Sequence, residues 1–283
     1  MKQIELGKTG ISIPVLGQGT YRMGQYADEF RSEVEALQYG IELGMTLIDT
    51  AETYADGGAE EVVGAAIKDV RDKVFVVTKV WPHHAAYDEV LKAADRSVKR
   101  LGGPIDLYLL HWPSREHPVS GTMRAMEELV AQGLVRYIGV SNFTPDLMQE
   151  SIDALQSNLL ACNQVEYHLN SRNIENDVIP YSEEHGITVM AYSPFGQGEF
   201  PTRASARGRL LADIGNRYGK SPYQVALNWL LNKPYICAIP KAVKREFIKA
   251  NAEAVNFVLT DEDRAAIDKA FPRPTEGMYL TRF

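Results

Sequence analysis

Cysteine is scarce in this chain: Cys162 and Cys237 are the only 2 in 283 residues, and no Cys-x-x-Cys spacing joins them. Both sit in apolar, strand-like stretches, which excludes a disulfide scaffold or thiolate metal knot and reads as two free core thiols. Basic excess is also missing. Lys and Arg number 30 against 37 Asp and Glu, a net charge of −7, and this argues against a nucleic-acid surface or polybasic membrane binding. No apolar run approaches the roughly 18 residues of a membrane span, and residues 1–5 have no signal-peptide core. The expected compartment is the cytosol. No Pro/Gly/Ser-rich linker, low-complexity segment or tandem repeat divides the chain, so a single domain over 1–283 is expected.

What is present is a regular alternation. Residues 2–6 and 11–14 flank a turn of Gly7, Lys8, Thr9 and Gly10 and read as a β-hairpin. Strand-like stretches then follow at 15–19, 45–49, 74–78, 106–110, 134–140, 160–165, 187–191 and 236–239. Helical periodicity lies between them, at 32–43, 59–68, 122–132, 173–185 and 244–254. Val90, Leu91, Ala94, Val98 and Leu101 share one helical face. Thr144-Pro145 and Ser221-Pro222 each offer an N-cap with Pro at the first helical position. Residues 205–218 form an additional helix, and Thr260 with Asp263 suggests a capping box for a last helix to about 270. The tail 271–283 has no periodicity. Strands rich in Val, Ile and Leu, each followed by a helix, predict an α/β (β/α)₈ TIM barrel with an N-terminal hairpin and two additional helices. An open dinucleotide-binding sheet would carry Gly-x-Gly-x-x-Gly after its first strand, but Arg22 stands at the third glycine of Gly17-Gln-Gly19.

In such a barrel the C-terminal strand ends converge on one rim. Here they supply Gly19-Thr20-Tyr21, Asp49, Lys79, His111, Ser141-Asn142, Gln164 with Glu166, Tyr192-Ser193 and Lys241. Each has an ordinary reading alone: a helix cap for Asp49 or Asn142, a surface lysine, a satisfied rim histidine, a wall tyrosine. Together they describe a site. Tyr54 is a phenol whose ordinary pKa is about 10; an ammonium at Lys79 would lower it, and Asp49 would keep that ammonium charged. His111 adds a donor for a substrate oxygen. That set suits protonation of an oxygen as negative charge builds on it. Since no side chain supplies hydride, a nicotinamide must. Ser141, Asn142 and Gln164 suit a carboxamide, Tyr192 a flat ring, and Lys241 a phosphate.

The chain resembles the aldo-keto reductases over essentially its full length. The stretches that carry the resemblance are Gly17-Gln-Gly-Thr20, Asp49-Thr-Ala-Glu-Thr-Tyr54, Val77-Thr-Lys79, Asp106-Leu-Tyr-Leu-Leu-His-Trp-Pro113, Gly139-Val-Ser-Asn-Phe143, Asn163-Gln164, Ala191-Tyr-Ser-Pro194 and Ile239-Pro-Lys241. The segment 51–61 is most like compact prokaryotic members that reduce methylglyoxal, diketo sugar acids and other reactive carbonyls. The resemblance implies Tyr54 as general acid, Asp49 and Lys79 tuning it, and His111 orienting the carbonyl. It implies an NADPH site with Gly19, Thr20, Tyr21 and Asp49 at its edge and Ser141, Asn142, Gln164 and Tyr192 around the nicotinamide. Ser193, Pro194, Phe195, Gly196 and Gln197 would follow the pyrophosphate. Ile239, Pro240, Lys241, Ala242, Lys244 and Asn251 would meet the adenosine half. Tyr21, Trp81, His111 and Trp112 would line the substrate pocket.

Two departures qualify this. Many NADP-preferring members follow the Ile-Pro-Lys lysine with Ser or Thr and carry Arg six residues after it; here those positions are Ala242 and Phe247. The 2′-phosphate loses a bidentate partner, so NADH use is credible beside NADPH. The loops 112–121 and 195–204 are short, which implies an open pocket and a broad carbonyl range. The adjacent His83-His84 pair does not suit one metal, and no metal is expected. His117, His168 and His185 read as surface or cap residues. The rival readings are a Schiff-base aldolase using Lys79 and a nucleotide-binding regulatory subunit without turnover. No nucleic acid or membrane partner is expected, and the chain reads as a monomer or weak homo-oligomer.

Overall fold

The computed structural model describes residues 1–279; of the aperiodic tail, 280–283 lie outside the described residues. Gly7 and Gly10 hold φ of +55° and +75°, which turns the chain between β1 (Gln3–Glu5) and β2 (Ser12–Pro14), paired antiparallel with Ile4 opposite Ile13. Gly7 also needs its missing side chain, because a Cβ there would lie 2.9 Å from the Ala161 carbonyl oxygen. Its N–H donates to Thr188 Oγ1 at 2.8 Å. The hairpin is the floor of the barrel: Leu6 and Ile13 are fully buried among Leu47, Val77, Leu107, Cys162, Met190 and Cys237.

Eight parallel strands form the wall. They are β3 (Gln18–Gly19), β4 (Leu47–Asp49), β5 (Phe75–Val80), β6 (Ile105–Leu110), β7 (Val135–Ser141), β8 (Leu160–Glu166), β9 (Thr188–Tyr192) and β10 (Ile236–Ala238), each hydrogen-bonded to the next in chain order. The seam between last and first strand is closed by backbone alone. Ala238 donates to the Val15 carbonyl at 2.9 Å, Gly17 to Ala238 at 2.8 Å and Gly19 to Pro240 at 3.2 Å. That approach requires glycine at 19, where a Cβ would stand 2.7 Å from the Ile239 oxygen. The alternation of a strand then sorts the side chains. Leu47, Val77, Leu107, Leu109, Cys162, Met190 and Cys237 fill the interior. Ile48, Val76, Val80, Tyr108, Leu110, Val140 and Val189 face outward into the helix layer.

That layer holds α1 (Phe30–Glu42), α2 (Gly58–Ile67), α3 (Tyr87–Leu101), α4 (Val119–Ala131), α5 (Pro145–Ala154), α6 (Val178–His185), α8 (Pro222–Leu231) and α9 (Arg245–Ala252), one after each barrel strand. The additional helices are α7 (Ala206–Tyr218) and α10 (Asp261–Ala270). The barrel, the hairpin and both extra helices are those expected from the sequence.

Several boundaries differ, each for a local reason. The helix expected over 173–185 breaks into a single turn, Asn173–Glu175, followed by α6. Asp177 has φ −140° and accepts the N–H groups of Val178 and Met278, while Asn176 donates to the Pro274 and Glu276 carbonyls. Short polar side chains with such partners outcompete the helical ladder. The capping box at Thr260 is half formed. Thr260 accepts the Asp263 N–H, but the Asp263 carboxylate turns to Arg217 and Tyr218, and the Tyr218 hydroxyl takes the Thr260 N–H instead. Thr144 precedes α5 without a side-chain cap, and α4 starts 3 residues ahead of its expected position, at Val119.

The complete box is at α8, where Ser221 accepts the Gln224 N–H and Gln224 accepts the Ser221 N–H at 2.9 Å. Ser221→Ala is expected to cost about 1 kcal/mol, or about 2 °C in Tm, in a thermal melt.

Candidate active site

The inward positions of the last strand residues carry the polar groups. Asp49 ends β4, Lys79 is the penultimate residue of β5, His111 directly follows β6, and Ser141 ends β7. Gln164 lies in β8, Tyr192 ends β9 and Lys241 follows β10. All of them but Lys79 line one cavity of about 890 Å³ at the C-terminal rim.

Lys79 lies beneath the lining of that cavity, with no exposed surface. Its ammonium lies 2.8 Å from the Asp49 carboxylate and donates to the Thr50 carbonyl at 2.7 Å. Gln164 Nε2 donates to the other side of Asp49 at 2.7 Å. Burial pushes the Asp49 carboxyl up and the Lys79 ammonium down, and each partner opposes the other's shift. The helix-cap reading of Asp49 does not hold, because its oxygens belong to this pair.

Tyr54 opens the turn Tyr54–Gly57, and the Lys79 Nζ stands 5.1 Å from its ring centroid. Its ring packs edge-on against Tyr21 at 5.3 Å and His111 at 5.8 Å. The phenol pKa is raised well above its ordinary value, first by burial and then by the charge of Asp49 and by Tyr21. This corrects the expectation of a lowered value. The Lys79 charge is already met by a carboxylate at hydrogen-bond distance, so what remains at the phenol does not offset its desolvation.

His111 is held neutral: burial, then the Lys79 charge, carries its pKa well below the ordinary 6.5. Among the described residues its Nδ1 is buried without a hydrogen-bond partner. Trp81 meets the same imidazole at 5.5 Å between ring centroids. Asn142, at φ +64°, donates to the His111 carbonyl at 3.1 Å and Ser141 Oγ at 3.0 Å, and accepts the Tyr192 hydroxyl at 2.9 Å. Ser141 in turn donates to the Gln164 carbonyl.

Tyr21, Trp81 and Trp112 line the cavity, as do Gly19, Ser193, Pro194, Phe195, Gln197, Ile239, Pro240 and Lys241. Six further positions do not. Thr20 is fully buried, with both its N–H and its hydroxyl spent on the Asp49 carbonyl. Lys79 lies beneath the surface. Gly196, Ala242, Lys244 and Asn251 stand outside the lining, Asn251 being buried on α9. Sequence reasoning missed Arg22, Gln25, Thr53 and Ala55, which do line it. It also passed over Glu52, whose carboxylate meets Trp81 N–H and His84 Nδ1. The available signal was a second acidic residue between Asp49 and Tyr54.

Left-handed backbone concentrates here. Among the described residues seven non-glycine positions have positive φ, and Arg22, Ala55, Asn142, Ser193 and Gln197 all line the cavity, with Asp56 next to Ala55. Such strain persists where the surroundings over-determine it.

The donor set fits a nicotinamide dinucleotide. The amide N–H donors of Asn142 and Gln164 are engaged, but Asn142 Oδ1, Gln164 Oε1 and Ser141 Oγ each keep a lone pair for an incoming NH₂. Lys241 lies on the cavity wall, and Lys244 is the exposed residue that immediately precedes α9.

Residues 15–271 match the sequence model of the aldo/keto reductase family. The methylglyoxal reductase YeaE of Escherichia coli (strain K12) is 43% identical over 265 residues, 93% of each chain. The glyoxal reductase of Bacillus subtilis (strain 168) is 32% identical over 95% of each. Among solved structures, an aldo/keto reductase from Klebsiella pneumoniae in complex with NADP and acetate superposes with a TM-score of 0.91 at 39% identity, over 100% of this chain and 99% of that one.

Proposed function

Because this chain belongs to the aldo/keto reductase family, we propose that it is an NADPH-dependent reductase of reactive aldehydes and ketones, methylglyoxal and aromatic aldehydes among them. The observation that carries the reading is the buried Lys79–Asp49 pair set beneath the Tyr54 phenol, with neutral His111 beside it in one cavity. The relatives named for methylglyoxal and glyoxal reduction support the substrate class.

When bound, NADPH supplies a hydride to the carbonyl carbon. The chain's residues manage the oxygen. Burial keeps the Tyr54 proton in place until an alkoxide, far more basic than the phenolate, develops next to it. The proton then passes from the Tyr54 hydroxyl to that oxygen, and the Lys79 ammonium over the ring stabilises the phenolate left behind. Asp49 and the Thr50 carbonyl hold Lys79 in place. A neutral His111 has one ring N–H to give the substrate oxygen. Ser141, Asn142 and Gln164 would take the carboxamide, Tyr192 the ring face, and 193–197 with Lys241 and Lys244 the phosphates.

A Schiff-base role for Lys79 has no support, since its ammonium is sealed and paired. The reading takes the chain as one domain over 1–283, working in the cytosol as a monomer or weak homo-oligomer. Its two buried, unpaired thiols fit a reducing compartment.

The test is cofactor consumption with methylglyoxal and an aromatic aldehyde, using NADPH and NADH in parallel. NADPH oxidation that depends on the aldehyde is the expected result; none across a broad carbonyl panel would leave the regulatory reading standing. The ratio of the two cofactors carries its own prediction. Phe247 is 54% exposed, with the Lys244 Nζ 5.8 Å from its ring centroid, so no guanidinium occupies this position. Phe247→Arg is expected to raise the preference for NADPH over NADH by about 10-fold in steady-state KM, the scale of one charged hydrogen bond.

A further inference from the structure

Glu52 is a nearly buried acid, 7% exposed, that the chemistry above does not use. It accepts the Trp81 N–H at 2.8 Å, meets His84 Nδ1 at 2.9 Å and receives Arg96 at 3.3 Å. Its own N–H donates to the Lys79 carbonyl at 3.3 Å. One carboxylate thus ties together the turn that carries Tyr54, the chain leaving β5 at Trp81, and α3 through Arg96. The turn needs such a tie. Ala55 and Asp56 hold φ of +52° and +51°, a left-handed pair without glycine directly after the phenol.

The rings these segments carry share one neighbour. Tyr54 stands edge-on to His111 from one side at 5.8 Å, and Trp81 does the same at 5.5 Å. The Trp81 N–H is bonded to the Glu52 carboxylate, and Tyr54 sits two residues along the same turn, its N–H on the Ala51 carbonyl at 3.1 Å, so Glu52 joins the segment that carries the phenol to the one that carries the indole.

The opposite end of the barrel supplies a comparison. Asp106 accepts the Val76 N–H of the same strand β5 and pairs with Arg71 and Arg136, each at 2.8 Å. It is as buried as Glu52, at 2% exposure, and has the same kinds of partner, a backbone N–H and two side-chain nitrogen groups. It lies at the N-terminal end of the strands, away from the cavity.

We propose that Glu52 is a positioning residue. Through the Trp81 backbone and the turn after Asp49 it fixes the width of the slot in which a carbonyl meets Tyr54 and His111. The proposal rests on the carbonyl-reductase reading of that site.

The experiment compares Glu52→Ala, Glu52→Gln and Asp106→Asn with wild type. It reads amide hydrogen exchange, NADPH affinity, and kcat and KM for methylglyoxal and an aromatic aldehyde. Glu52→Ala is expected to speed exchange within 50–58 and 80–86 above the rest of the chain. It should lower kcat by about 10- to 100-fold, the scale set by a small misplacement of reacting groups. KM should rise more for the aromatic aldehyde than for methylglyoxal, with NADPH affinity unchanged. Glu52→Gln keeps an acceptor for the Trp81 N–H and should restore most of the loss. Asp106→Asn should lower Tm and move none of these. Exchange rising no more in the two segments than elsewhere, or the same kinetic change in Asp106→Asn, would overturn the proposal. If wild type reduces no carbonyl, the reaction assignment fails, while the exchange pattern still decides what Glu52 holds.

Discussion

Tyr54→Phe should lower kcat for carbonyl reduction by about 10²- to 10⁴-fold, the range supplied by a positioned general acid. The substitution removes one oxygen. The ring contacts to Tyr21 and His111 remain, as does the Lys79 charge over its face. Among the described residues the phenol hydroxyl donates no hydrogen bond, so Tm and NADPH affinity should stay near the wild-type values. Burial, Asp49 and Tyr21 all favour the protonated phenol, and the donor is therefore ready before a substrate arrives. Cofactor titration and steady-state kinetics on the same preparation make the check. Equal turnover in both proteins would remove Tyr54 from the mechanism.

Lys79→Met should produce the largest loss of stability. The wild-type pair has no access to water on the lysine side, and its carboxylate is left with only the Gln164 amide when the ammonium goes. Breaking one side of a buried pair costs about 3–5 kcal/mol, whereas replacing both sides costs far less. Asp49→Asn/Lys79→Met should therefore recover much of the deficit in denaturant unfolding, although neither variant should turn over. The pH dependence has a definite sign. Burial already raises the Asp49 pKa above 3.8, and losing Lys79 removes the strongest opposing influence. A carboxyl whose folded pKa is raised binds more protons folded than unfolded, so stability falls as pH climbs from about 3.8 through the folded pKa. The gap between Lys79→Met and wild type should be smallest in acid and widen toward neutrality. A gap independent of pH would mean that Asp49 is not left bearing an uncompensated charge.

The barrel was legible because strand and helix periods alternate without interruption, and because polar residues recur where apolar runs stop. Asp49, Lys79 and His111 announce themselves in this way. What was not legible depended on distant partners. The direction of the Tyr54 shift turns on whether Lys79 is free or matched, and only its 2.8 Å contact with Asp49 answers that. That Asn142 is anchored by His111, Ser141 and Tyr192, and so has only an Oδ1 lone pair left to offer, is likewise invisible in the sequence. Glu52 has no periodic signature, since its partners come from a loop and a helix at least 29 residues away. The broken helix before α6 depends on contacts roughly 100 residues on, between Asn176, Asp177 and the C-terminal segment.

The barrel interior also bears on chemical durability. Thiolates and unprotonated amines add to reactive carbonyls, and an enzyme that consumes such compounds is exposed to them at every turnover. Here both thiols are fully buried, with Cys162 pushed well above its ordinary pKa and Cys237 to about 12, so neither presents the thiolate that an electrophile requires. Lys79, the one amine beneath the reaction centre, is sealed and hydrogen-bonded. The two thiols and the buried amine are therefore shielded from carbonyl addition, and adducts should collect on exposed lysines and arginines, Arg22 and Lys241 at the cavity lining among them.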